Sequence, residues 1–358
     1  MPEWGEFRHV KVMKPLSPAP GVQTIGFLLI PGFALMSYAA ACEPLRAANI
    51  AAGREIYRAA AFGPGVSRPG VSGPGTVAAS NGALIPAAPL PARGAGLSAL
   101  LVCAGGSPAD WGVPTVHACL RAQARDGVRL GGISGGAWLL AAAGLLRDRA
   151  FTLHWEHAAA LVEAFPDLSP TQARYVIDRD RITCGGGVAP LDLMHALIGE
   201  RMGPAFARRV SDWFLHAEVS APAAPQRGGL AERWGVNHPG LLAALEKLEA
   251  TPDGPVPRAA LARLAGVGPR QLDRLFRDHL GATPGETHRR LRLVHARRLL
   301  AQSPLSIAEI AQAAGFASAS HFARAHRAEY GSAPRDARAA ALASGEISGS
   351  EGKTTSGG

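Results

Sequence analysis

VRLGGISGGAWLLAAAGLL, residues 128–146, decides the fold class. Its start, VRLGGI, reads as a short buried strand, and its end, AWLLAAAGLL, as a helix. Between them Gly132-Ile133-Ser134-Gly135-Gly136 is a literal G-x-S-x-G, the spacing that holds a hydrolase nucleophile on a sharp strand-to-helix turn. A strand feeding a helix through glycines is the unit of a parallel sheet, so the neighbouring sequence should repeat the alternation.

It does. QTIGFLLI (23–30) and EIYRAAAFG (55–63) read as strands around a helix at ALMSYAAACEPLRAAN (34–49), and SALLVCAGG (98–106) is a strand running into a second glycine turn. Strands alternating with helices predict an α/β domain, a parallel sheet flanked by helices, with its site at the carboxyl ends of the strands. Both glycine turns fall at such ends. GPGVSRPGVSGPG (63–75) is too rich in glycine and proline for either element. Beyond ITCGGGVAPLDLMHALIGERMG (182–203) the strand signals stop, and SAPAAPQRGGLAERWGVNHP (220–239) has the composition of an exposed linker. The expected organisation is a tail at 1–20, an α/β domain at 21–219, a linker at 220–240, an all-α domain at 241–338 and a tail at 339–358.

At 358 residues the chain is long enough for two cores. No apolar run is long enough to span a bilayer, and the N-terminal stretch lacks the apolar centre of a signal peptide, so a cytoplasmic location is expected. Cys42, Cys103, Cys119 and Cys184 are scattered without C-x-x-C spacing, which argues against a zinc site or a disulfide scaffold. No metal and no cofactor is expected. The net charge of +9 is uneven: residues 241–338 hold 15 Lys and Arg against 9 Asp and Glu. Nearly all of those cations are arginine, the side chain suited to forked contacts with phosphate and guanine.

The basic segment repeats itself. LARLAG (261–266), a turn, then RQLDRLFR (270–277), Gly281 and Pro284 are followed by IAQAAG (310–315), a turn, then HFAR (321–324), Arg327, Gly331 and Pro334. Arg274/Arg324, Arg277/Arg327, Gly281/Gly331 and Pro284/Pro334 share one spacing. A short helix, a glycine-containing turn and a longer basic helix form a helix-turn-helix, whose second helix enters the major groove. GETHRRLRLVHARRLLA (285–301) joins the two motifs as one amphipathic helix, with Leu291, Val294 and Leu299 marking its apolar side.

On these motifs residues 241–338 resemble the DNA-binding domain of AraC-family transcription regulators. GFLLIPGFALMSYAAACEPLRAAN and TCGGGVAPLDLMHALI resemble the sensor domain of that family's GlxA-type branch, which has the class I glutamine amidotransferase-like (PfpI-type), flavodoxin-like fold. The resemblance covers roughly residues 22–338 and includes the T-x-H-W stretch at 152–155. It implies base contacts from the N-terminal halves of both recognition helices: Arg270, Asp273 and Arg274 in the first, and Ala319, Ser320 and Arg324 in the second. Asp273 either accepts from a cytosine amine or braces Arg270 or Arg277. Arg277, Arg289, Arg290, Arg327 and Arg335 are expected on phosphates, which set affinity but not sequence. The second helix has little polar reach beyond Ser320 and Arg324. His326 stands where the family usually has a core phenylalanine, and a buried neutral histidine is expected there.

Ser134 as a nucleophile needs a base and an orienting acid. Asp167 or Asp178 followed by His195 has the right order, but His195 lies in an apparent helix, and His154 precedes those acids. The amidotransferase-like relatives carry cysteine on the elbow, often followed by histidine; here the two positions are Ser134 and Gly135. Serine without an aligned base is a poor nucleophile, so no catalysis is expected. A glycine turn at a helix start still binds carboxylates. Glu43, Ser134, Gly135, His154, Trp155, Glu156, Cys184 and Asp192 are the expected ligand-binding set, with Trp155 and a carboxylate suited to an amine. Trp138 reads as core. The resemblance further implies an amine, betaine, carnitine or amino-acid effector, promoter DNA and RNA polymerase as partners, a homodimer, and activation of catabolic genes.

Overall fold

The computed structural model describes residues 21–65 and 75–346, with side chains to 341. The tail expected at 1–20, residues 347–358 of the tail expected at 339–358, and most of the stretch 63–75 lie outside the described residues; residues 339–346 are helical instead.

The α/β domain is built in chain order from β1 (Gln23–Leu29), α1 (Leu35–Ala52), β2 (Tyr57–Phe62), β3 (Gly75–Ala78), β4 (Leu84–Ala87), β5 (Leu97–Ala104), α2 (Pro114–Arg125), β6 (Arg129–Ser134), α3 (Gly136–Ala142), α4 (Ala158–Ala164), β7 (Tyr175–Asp178), β8 (Arg181–Cys184), α5 (Ala189–Met202) and α6 (Pro204–Trp213). Six strands form one sheet in the order β2-β1-β5-β6-β8-β7, parallel except where β7 meets β8. Central β5 is buried on both faces, which is why its sequence is a continuous apolar run. Leu100 and Val102 pack with α2 and α3 on one side, while Leu101 and Cys103 pack with α1, α5 and α6 on the other.

Two hairpins were not expected from the sequence. β3 and β4 pair antiparallel as a separate ribbon, and β7 returns on β8 at the sheet edge. All four strands are four residues long, too short to display a period.

The rest is helical: α7 (Leu230–Trp234), α8 (Pro239–Glu249), α9 (Arg258–Leu264), α10 (Pro269–Leu280), α11 (Pro284–Gln302), α12 (Ile307–Ala313), α13 (Ala319–Tyr330) and α14 (Pro334–Glu346). The helix α14 runs past residue 338, where the sequence placed the end of the module. The segment 220–240 is not a free linker either. It contains α7, and its first part is tied to the α/β domain: Arg174 N–H donates to the Pro222 carbonyl (3.0 Å) and Ser220 N–H to Asp192 (2.9 Å).

Helix α11 is the keel of the module. Its buried face is Leu293, Ala296, Leu299 and Leu300, whereas Val294 is 39% exposed. The apolar side named from the sequence was therefore rotated: Leu291 and Val294 face a cavity between the two domains. The far end of α11 joins the α/β domain directly. Ser107 Oγ donates to the Ala301 carbonyl (2.8 Å), and His157 Nδ1 lies 3.1 Å from Gln302 Oε1. No helix among the described residues is long and apolar enough to cross a membrane.

Candidate functional site

Strand β6 ends at Ser134, whose φ of 58° is the left-handed conformation of a nucleophile elbow. Its surroundings are closed. A Cβ on Gly135 would stand 2.1 Å from the Trp111 ring, so no side chain, histidine included, fits there. Trp111 is held by its Nε1–H bond to the Gly105 carbonyl (2.9 Å) and by edge contacts with Trp138 and His157. Trp138 is buried in that cluster, as expected of core. On the other side Gly186, at φ 87°, leaves a Cβ no room beside Ser134.

The Ser134 hydroxyl makes no hydrogen bond to any described residue, and its candidate partners are engaged elsewhere. His195 Nδ1 is 2.8 Å from Ser211 Oγ. Asp178 accepts from Arg179 (3.0 Å) and from the Ala150 N–H (2.8 Å), and Asp167 is exposed. His154 meets the elbow only through its backbone N–H, which donates to the Ser134 carbonyl (3.2 Å).

The expected ligand set is divided by the fold. Glu43 pairs with Arg46 at 2.6 Å on the exposed side of α1. Cys184 is fully buried, and burial pushes its thiol up to about 12. Asp192 is also fully buried; it takes Arg174, His216 Nε2 (2.7 Å) and the Ser220 N–H, clamping the segment after α6 onto the sheet end. Neither Cys184 nor Asp192 is open to a ligand. Glu156 is exposed, with its carboxylate 3.9 Å from His154 Nδ1. Burial holds His154 below the usual histidine range, and it pushes His157 down to about 4.

Trp155 does attract cations, but they belong to the protein. Arg227 lies 4.6 Å and Arg298 5.0 Å from its ring centroid. The first comes from the interdomain segment and the second from α11, so this indole marks the junction rather than the elbow.

Sequence reasoning missed Gln226. Its Oε1 accepts from the Trp155 N–H, and its Nε2 lies 2.9 Å from each of Thr152 Oγ1, the Leu153 carbonyl and the Ala173 carbonyl. It sits against Gly185, where a Cβ would come within 2.6 Å of it. One glutamine thus pins the interdomain segment over the sheet end. Nothing in a proline-rich stretch announced it.

The two helix-turn-helices repeat in three dimensions. Gly266 and Gly315 take φ of 67° and 68° in the turns, and Gly281 and Gly331 end α10 and α13 with positive φ. Residues 271–280 and 321–330 have the same order of buried and exposed positions. Leu272, Phe276, Phe322 and His326 point inward, while Arg270, Arg274, Arg277, Ser320, Arg324 and Arg327 are exposed and Ala319 is partly so. Gln271 and His321 occupy equivalent exposed positions on the N-terminal halves, a match the repeat spacing contained. His321 gives the second helix more polar reach than the sequence reading allowed. Arg289 and Arg335 are exposed, and Arg290 lies 3.5 Å from Glu329. Asp273 braces Arg258, not Arg270 or Arg277. His326 is 1% exposed, with Nδ1 2.8 Å from the Ser332 carbonyl. A carbonyl only accepts, so Nδ1 carries the proton.

Residues 261–340 match the model of a helix-turn-helix domain family. The chain is 56% identical over 323 residues to the HTH-type transcriptional regulator GlxA of Rhizobium meliloti (strain 1021), covering 90% of this chain and 97% of that protein. It is 38% identical to the HTH-type transcriptional regulator GbdR of Pseudomonas aeruginosa, covering 89% and 87%. Among solved structures, an AraC family transcriptional regulator from Pseudomonas putida aligns at 27% identity and a TM-score of 0.47, covering 54% of this chain and 99% of that one.

Proposed function

The chain belongs to the GlxA-type branch of the AraC family of helix-turn-helix transcription regulators, and from that premise we propose that it is a cytoplasmic, ligand-responsive activator of genes for the catabolism of an amino acid, betaine, carnitine or related amine. The observation that carries its DNA-binding side is the repeat itself: two helices with matched burial present arginines outward from a single keel. Arg270, Gln271 and Arg274 in one helix, and Ala319, Ser320, His321 and Arg324 in the other, face the bases. Arg277, Arg289, Arg290, Arg327 and Arg335 take phosphates. Asp273 serves by fixing Arg258 rather than by reading a base.

The α/β domain senses and does not catalyse. Its effector is held where the sheet end faces the DNA-binding module, which it reaches through Gln226, Trp155 and Glu156. Support comes from the connection already in place: the glutamine that covers the glycine turn also holds the residue on which α11 stacks. A homodimer placing two such modules on tandem half-sites, and contact with RNA polymerase, complete the reading.

The test is retardation of DNA from the protein's own promoter, with and without amines, betaines and amino acids. Sequence-specific retardation that weakens steeply with salt is expected, and its absence under every condition overturns the proposal. The strained Ser134 favours one competing reading, an amidase or other hydrolase. Turnover of amide or ester substrates that vanishes in Ser134→Ala would establish it.

A further inference from the structure

Between the two domains lies a cavity of about 640 Å³ lined from both sides. Trp155 comes from the α/β domain, Gln226 and Arg227 from the interdomain segment, Glu246 and Glu249 from α8, and Val294, His295 and Arg298 from α11. Its charges are not balanced pairwise. Arg233 is bound to Glu249, which also accepts from Trp234 Nε1–H (2.9 Å). Arg227 and Arg298 have no such partner: each is half-buried on the Trp155 ring, and no carboxylate of a described residue lies within 4.0 Å of either. Glu156 and Glu249 act on Arg298 only from beyond that distance.

An indole face attracts a guanidinium by roughly 0.5–2 kcal/mol but satisfies none of its N–H donors. Two cations gathered on one ring also repel each other, and burial disfavours the charge of both. Paired, planar donors beside an open-mouthed cavity are the arrangement that a carboxylate completes with forked hydrogen bonds.

We propose that this interdomain cavity binds a small carboxylate-bearing metabolite, whose carboxylate bridges Arg227 and Arg298. Glu246, an exposed residue of the same lining, can receive an ammonium group, so an amino acid fits as well as a dicarboxylate. A ligand held by residues of both domains stabilises one arrangement of the DNA-binding module over others, which is what coupling requires. The inference rests on the ligand-responsive reading but assigns the site to the junction instead of the elbow.

The experiment measures thermal shift and calorimetric binding on the full chain with succinate and with L-glutamate, against sodium chloride at matched ionic strength. A saturable rise in Tm beyond the chloride control is expected with at least one of them. The two ligands separate a dicarboxylate from an amino-acid preference. Arg227→Gln and Arg298→Gln should each weaken binding at least tenfold, while Ser134→Ala should bind as the parent does. Val294→Glu places a carboxylate one helical turn before Arg298 at an already exposed position, where it pairs with that arginine in the ligand's place, and should abolish binding with both arginines still present. No saturable shift with either ligand overturns the proposal, as does binding that survives both glutamine variants. Binding lost in Ser134→Ala but kept in the arginine variants would return the effector to the elbow, leaving the regulator reading intact. If neither ligand binds and the arginine variants only flatten the salt dependence of DNA retardation, the two arginines are phosphate contacts and the proposal fails. The regulator reading itself fails separately, by absence of retardation in the parent chain.

Discussion

At φ 58°, Ser134 occupies a region where a residue bearing a Cβ is strained by about 1–2 kcal/mol. That strain is useful to a nucleophile, and here no base stands within reach to use it. Ser134→Gly should therefore stabilise the protein, by roughly 0.5–1 kcal/mol once the missing Cβ packing and the freer unfolded chain are set against the relief. Urea denaturation measures it, and DNA retardation should be unchanged. A large destabilisation would mean that the hydroxyl holds something essential.

His157 gives a second test through pH. Buried beside Trp111 and bonded to Gln302, it is held at about 4, below the 6.5 of an unconstrained histidine. Because the folded value is depressed, stability is fully present above pH 6.5 and is lost as the pH falls toward 4. The loss is on the order of 3 kcal/mol if this group acts alone. His154 is shifted the same way, so the parent's slope contains both. His157→Asn keeps a polar partner for Gln302 without a titrating group, and its stability should fall less steeply across that window. Parallel pH profiles for parent and variant would remove His157 from the account.

The segment from His216 to Gln226 shows what a sequence reveals about an element and what it conceals. The parallel sheet, the elbow and the twin helix-turn-helices were legible because each rests on a local pattern: an apolar run, a glycine turn, a repeat. The β7–β8 hairpin and the short β3–β4 ribbon were not, since strands of four residues carry no period. Nor was the clamp on residues 216–226, because Asp192, Arg174 and Gln226 meet only through the folded sheet end. The same distance hid the surroundings of Trp155, whose cations come from segments far along the chain. Losing the clamp should loosen this segment while leaving the sheet intact. In Gln226→Ala four side-chain hydrogen bonds disappear, and the partly buried Trp155 N–H and the carbonyls of Leu153 and Ala173 lose a partner. Unsatisfied buried groups cost about 1–3 kcal/mol each when water cannot replace the partner, and partial exposure brings the total toward that of a single group. Faster amide exchange confined to residues 216–230, and earlier proteolytic cleavage there, is the expected signature. Gly185→Ala should do the same by displacing the glutamine; exchange unchanged in both variants would show that Asp192 and the Arg174–Pro222 backbone bond hold the segment without the glutamine.

On the scale of the whole molecule, the proposed function requires α11 to couple the α/β domain to the DNA reader. A 19-residue helix is about 28 Å long, close to the roughly 34 Å repeat of the duplex, so α11 can set α10 and α13 toward successive major grooves. The opposite end of the same helix touches the α/β domain through Ala301 and Gln302. Under the proposed function a shift of the α/β domain would change the spacing or tilt of both reading helices together, and DNA binding is where that change is measured. Arg277 and Arg327 occupy matched exposed positions in the C-terminal half of each reading helix, and the proposed docking gives each a phosphate. Removing either by alanine should weaken binding evenly across sequences. It should also reduce the slope of log K against log salt by about 0.9 for each phosphate left without its cation. Arg274→Ala should instead relax the preference at one base position, with discrimination there falling by about 1–3 kcal/mol. Titrations of cognate and scrambled promoter DNA at several salt concentrations separate the two effects. If Arg277→Ala and Arg327→Ala shift the preference while leaving the slope unchanged, the reading helices lie in their grooves rotated from the orientation that the repeat implies.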